Sequence, residues 1–180
     1  MRRLVRLTAM TLAIAATGCA TLNVSSHVQR GTDFANYRTF DWGPADAFPA
    51  GDPRLDQHPF FRDQVEGAVE KGLAAKGYER STSAGPDLLI HYHASISQRI
   101  DVDHVDHQYR YGDAHDSRAG VIEYEAGTLV LDIVDARTGR VIWRGWSQGS
   151  VEDLLDNQDR MARRIREGVT RMLARLPGRL

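Results

Sequence analysis

The sequence predicts an α+β domain, a mostly antiparallel sheet of about five or six strands with two amphipathic helices packed on one face. Three observations carry this expectation. Several segments alternate apolar and polar residues with period two, two longer segments carry an apolar stripe at 3.6 spacing, and the second face of the strands is polar rather than apolar.

The first strand is read at Thr21 to Val28, where Leu22, Val24 and Val28 share a face. Tyr37 to Trp42 alternates again, with Phe40 and Trp42 on one side and Gly43-Pro44 closing the segment, and these first two strands are expected to pair. A Pro-, Gly- and Asp-rich connection from Gly43 to Pro59 leads to a helix in which Phe61, Val65, Ala68, Val69 and Leu73 line one face; Gly77 supplies the stop. From Leu88 to Gln98, Leu88, Ile90, Tyr92, Ala94 and Ile96 point one way and Leu89, His91, His93, Ser95 and Ser97 the other.

Arg99 to Glu123 is rich in Asp, His, Tyr and Gly with no sustained period, and reads as a long polar loop or hairpin tip. Gly127 to Val134, the turn Asp135 to Gly139 and the return Arg140 to Gly149 form the clearest hairpin. Asp156 or Asn157 can cap a last helix whose Met161, Ile165, Val169, Met172, Leu173 and Leu176 follow the helical spacing, and Pro177-Gly178 ends it.

The N-terminus gives an address. Arg2, Arg3 and Arg6 precede an uncharged apolar run, Leu7 to Ala16, and Ala16-Thr17-Gly18-Cys19 reads as a bacterial lipobox. Residues 1–18 are thus expected to be a lipoprotein signal peptide and 19–180 a single periplasmic domain. Cys19 would carry the lipid, palmitate among its acyl groups, and the apolar run is too short to span a bilayer. Ala20, rather than Asp, follows Cys19, which fits release to the outer membrane of a Gram-negative host. An acylated Cys19 leaves the mature chain without a thiol, so neither a disulfide nor cysteine chemistry is available to it.

Charge narrows the partners. The chain has 23 basic and 24 acidic residues, and removal of Arg2, Arg3 and Arg6 with the signal leaves 20 basic residues against 24 acidic. Such a balance argues against nucleic acid as a partner.

Gly145-Trp146-Ser147-Gln148-Gly149 has the form of a nucleophile elbow, but Ser147 falls in the return strand of a hairpin with no helix directly after it. The last histidine of the chain, His115, precedes the serine, so the triad order fails. Ser147 is read as a surface or edge-strand residue. No phosphate loop or dinucleotide fingerprint is present, and no enzymatic activity or cofactor is expected.

Two other sets of residues invite function. His91 and His93 share a strand face, and with His104 and His107 of the Asp- and His-rich loop they could approach a metal shell, although Ser95 and Ser97 on the same face make a solvated surface the better reading. The last helix carries Arg163, Arg164 and Arg171 among other arginines, a cationic face that could meet a membrane or an envelope polymer. Trp143 and Trp146, three apart on a strand, lie on opposite faces; both are candidate partner contacts, one in the core and one exposed.

The lipobox, Asp33 to Trp42, Leu73 to Tyr78, Pro86 to His93, Gly127 to Asp135 and Trp143-Arg144-Gly145 together resemble the bacterial envelope lipoproteins of the domain-of-unknown-function family 4136. The resemblance runs from about Thr21 to Pro177. It implies a compact periplasmic α+β domain and brings no catalytic residue, cofactor or ligand set. The expected function is that of a noncatalytic lipoprotein, membrane-attached through its lipid, which binds or supports another envelope protein or polymer. A metal-binding lipoprotein is the alternative.

Overall fold

The computed structural model describes residues 22–44, 51–82, 85–101, 122–152 and 154–178. Within them the chain forms β1 (Asn23–Val28), a 3₁₀ turn (Phe34–Asn36), β2 (Thr39–Trp42), α1 (Pro53–Asp56), α2 (Pro59–Ala75), β3 (Glu79–Arg80), β4 (Leu88–Asp101), β5 (Ile122–Asp135), β6 (Arg140–Ser150) and α3 (Gln158–Leu173). The strands make one six-stranded sheet in the order β1-β6-β5-β4-β2-β3. The α+β class and the placement of the helices agree with the sequence. The sheet is mixed, however, because β2 runs parallel to both β3 and β4.

The expected pairing of the first two strands does not occur. β1 pairs antiparallel with β6, from Asn23↔Gln148 to Val28↔Trp143, while β2 lies near the opposite edge against Leu88–Ile90. Alternation within a segment fixes which side chains face the core but says nothing about the neighbouring strand. Among its described residues, the connection read between Gly43 and Pro59 also contains a short helix, α1, with Asp52 at its N-cap accepting from the Arg54 N–H.

Each long helix begins and ends for identifiable reasons. At α2, His58 accepts from the Phe61 N–H and Pro59 fills the first turn, where a missing donor costs nothing. Gly77, at φ +84°, takes the left-handed conformation that follows the helix end. Phe61, Val65, Val69 and Leu73 are spaced by four and buried. At α3, Asn157 is the N-cap, accepting from the Arg160 N–H, and Met161, Ile165, Val169, Met172 and Leu173 are buried. The helices approach closely where Gly72 faces Leu173; a Cβ at Gly72 would collide with the Leu173 side chain.

The core is the layer between this helix pair and one sheet face, where Phe40, Leu88, Ile90, Ala94, Leu131, Ile133 and Trp143 meet the helical stripes. Trp42 and Tyr92 join it edge-on, with ring centroids 6.1 Å apart at 89°. A bulge between β5 and β6 pairs Ile133 with Trp143 and Val134 with Val141, which leaves Ile142 as the extra residue. Ile142 and Trp143 both reach the core as a result. Beyond the bulge, Arg144 is returned to the opposite face, level with Asp132.

β4 and β5 remain paired to Asp101↔Ile122, so the polar excursion expected at 99–123 is shorter at both ends. Cys19, His104 and His107 lie outside the described residues.

Candidate functional site: the helix-free face of the sheet

Strand register assembles a second surface on the side of the sheet away from the helices. One cross-strand row runs His27 (β1), Arg144 (β6), Asp132 (β5), His91 (β4); the next runs Ser25, Trp146, Val130, His93; a third runs Asn23, Gln148, Thr128, Ser95. Four strands thus contribute to one platform.

Its centre is an ion pair. The Arg144 guanidinium donates from Nε and Nη2 to the two Asp132 carboxylate oxygens, both at 2.6 Å. This two-point fit fixes the plane of the guanidinium as well as its position. Asp132 is only 4% exposed, whereas the Arg144 side chain is about half exposed at 47%. The hydrogen bonds to Asp132 hold the Arg144 pKa above its ordinary value. Beside them His91 is pushed below its ordinary pKa by burial, partly offset by the nearby Asp132 charge. The backbone just after β2 closes over this imidazole, since a Cβ on Gly43 would fall within the His91 ring. In the third row Gln148 Nε2 donates to Thr128 Oγ1 at 2.8 Å.

One end of the sheet is tied down by side chains. Tyr37 Oη donates to Asp135 Oδ2 at 2.9 Å, joining the β1–β2 connection to the β5–β6 turn. The Asp87 carboxylate receives the backbone N–H groups of Arg38 and Thr39 at 2.7 and 2.9 Å and lies below its ordinary pKa, because those donors favour its charged form.

The sequence-predicted residues divide as follows. Trp146 is on the platform and half-buried. Trp143 is fully buried and cannot contact a partner: the bulge directs it into the helix-facing core, where its Nε1 has no hydrogen-bond acceptor. His91 and His93 both lie on the platform. Among the described residues, however, no three His, Cys, Asp or Glu side chains converge to hold a metal ion. Arg163 and Arg171 are exposed on α3, with Arg171 donating to Glu167 at 3.2 Å, and Arg164 is half-buried. All three are on the helix side of the domain, away from the platform. Ser147 is neither a surface nor an edge residue. It is 6% exposed on the interior strand β6 and packs so closely on α3 that a Cβ at Gly168 would lie 2.8 Å from its Oγ.

Sequence reasoning did not single out Arg144 or Asp132. The hairpin register pairs them, and an Asp in an otherwise apolar strand opposite an Arg was the available signal.

The fold and its platform define a one-sided α+β domain whose uncovered face presents charged, aromatic and hydrogen-bonding side chains. The chain belongs to the family described as Domain of unknown function (DUF4136), which matches residues 24–178. No protein of curated function matches the sequence. Among solved structures, a PDZ domain protein from Parabacteroides distasonis is similar at 18% identity and TM-score 0.51, over 87% of this chain and 36% of that one; the chain spans about a third of that protein's length. A PelC dodecamer from Paraburkholderia phytofirmans is similar at 12% identity and TM-score 0.49, over 89% and 100% of the two chains. A DUF4136 family protein from Bacteroides thetaiotaomicron follows at 11% identity and TM-score 0.44, over 83% and 95%.

Proposed function

We propose that the protein is a noncatalytic cell-envelope lipoprotein, anchored by acylated Cys19 in the outer membrane of a Gram-negative host. Its periplasmic domain docks another envelope component, protein or polymer, on the helix-free sheet face. The observation that carries this reading is the platform itself. Four strands align an Arg144–Asp132 pair, Trp146 and three histidines on a face that no described helix covers. A broad surface with one aromatic residue among hydrogen-bonding groups suits docking, in which a partner meets many groups at once. Acid–base or nucleophilic catalysis would call instead for a few groups converging in a cleft.

The lipobox supports the address, since β1 begins four positions after Cys19 and leaves only a short link to the lipid. Mass spectrometry of the native N-terminus, together with separation of inner and outer membranes, tests the anchor. A diacylglyceryl-modified Cys19 in the outer-membrane fraction is expected. An unmodified N-terminus, or retention in the inner membrane, contradicts it.

A further inference from the structure

On the helix side of the sheet, a pocket of about 70 Å³ is open between β5, β6 and the start of α3. Its walls include Leu22, Leu55, Leu129, Leu155, Met161 and Ile165, and among the described residues Arg164 is the one charged residue in the lining. Such a wall offers few partners to a polar substrate and much contact to an alkyl chain; the unbranched Met161 can adapt to it. The volume suits the last few carbons of a chain, not a whole lipid.

Two further observations identify the occupant. Leu22 is three residues from Cys19, so an extended backbone keeps the pocket wall within about 10 Å of the expected lipid attachment point. The helix that supplies Met161, Arg164 and Ile165 also carries Arg160, Arg163, Arg166 and Arg171 against only Asp159 and Glu167, an excess of positive charge on α3 that complements an anionic headgroup.

We infer that the pocket takes the end of an acyl chain from an anionic phospholipid of the membrane that holds the anchor, with the α3 arginines meeting its headgroup. Binding seats the domain against the bilayer by its helix side and turns the platform away from the lipid. An alkyl chain gains little on leaving one apolar medium for another, so occupancy depends on the tether, which keeps the pocket at high local lipid concentration. The inference rests on the anchored-lipoprotein reading but is measured separately from it.

The test uses the full lipoprotein in phosphatidylcholine vesicles doped with phosphatidylglycerol that carries a diazirine at the acyl end. After irradiation, peptide mapping is expected to place label on Leu129, Met161 or Ile165. Leu129→Trp, which fills the pocket, should abolish that label, and Arg163→Gln, which removes an exposed α3 cation, should lower it about fivefold, the worth of one surface cation near anionic lipid. If Leu129→Trp does not fold, Ile165→Phe serves the same purpose. The inference is overturned if pocket residues remain unlabelled, or if a folded pocket-filling variant labels as strongly as wild type. It is also overturned if label reaches the pocket only when the diazirine is carried by the acyl groups on Cys19 itself. The mass of the N-terminus reports the anchor independently of all these outcomes.

Discussion

Arg144 holds Asp132 by two hydrogen bonds of 2.6 Å across the β5–β6 hairpin, and the carboxylate it holds is almost wholly removed from solvent. Burial of a charge is costly unless it is paired, so the two residues contribute unequally when removed singly. Arg144→Ala should lower stability by about 1–3 kcal/mol, because it strands a buried carboxylate. The half-exposed guanidinium places the value towards the lower end of that range, since solvent screens its share. Arg144→Ala combined with Asp132→Asn should recover part of the loss. Urea denaturation of the three proteins decides the matter; a double variant less stable than Arg144→Ala would contradict the account.

His91 makes stability pH-dependent in a definite direction. Its folded pKa is below the ordinary 6.5, with burial as the largest cause, so the unfolded chain binds a proton that the folded one resists. This contribution to stability is complete above about pH 6.5 and declines as pH falls from there to the lower folded pKa. Gly43→Ala would force the imidazole away from the chain just after β2. NMR titration of the His91 ring in that variant should show a pKa moved up towards the ordinary value, with the associated acid-side loss of stability removed. An unchanged titration would show that Gly43 does not confine the ring.

Asp87 has the opposite sign of linkage. Its folded pKa is depressed by the N–H groups of Thr39 and Arg38, so its contribution is present above the unfolded value of about 4 and is lost as pH falls through the folded value. Asp87→Ala should cost about 1–2 kcal/mol at neutral pH, as loss of a carboxylate that satisfies backbone donors. Thermal melts at pH 7 and in acid should converge for the two proteins as pH falls. A difference that persisted unchanged in strong acid would count against this role.

The two tryptophans separate core from platform. Trp143→Ala should cost about 3–5 kcal/mol, the range for emptying a buried aromatic site, and Trp146→Ala, on a half-exposed site, about 1 kcal/mol or less. Equal losses from the two substitutions, measured by chemical denaturation, would contradict the assignment of their faces.

Much of the fold was legible because one-sided strands and 3.6-spaced stripes are local signals. Leu88, Ile90 and Ala94 are legible on the face opposite His91 and His93, and capping chemistry marks the helix boundaries at Gly77 and at the pair Asp156 and Asn157, of which Asn157 is the N-cap. Strand order was not legible, because the β1–β6 register joins residues more than a hundred positions apart and no short-range pattern encodes it. The extra residue at Ile142 was hidden for a related reason. Arg140 to Gly149 reads as an ordinary return strand, and only pairing with Ile133 and Val134 reveals that two successive apolar residues enter the core. The platform was half legible: His91, His93 and Trp146 stood out individually, whereas His27 and the Arg144–Asp132 pair at its centre required the strand register.

The central claim is that the helix-free face docks an envelope partner, and site-specific photocrosslinking in living cells tests it most directly. A photoreactive residue at Ser25, beside Trp146 on the platform, should capture a discrete envelope component, and the adduct should fall sharply in folded Trp146→Ala. The same probe at Thr170, exposed on α3, should not capture that component. Capture of one component from Thr170 but not from Ser25, or an adduct at Ser25 indifferent to Trp146→Ala, would contradict the account.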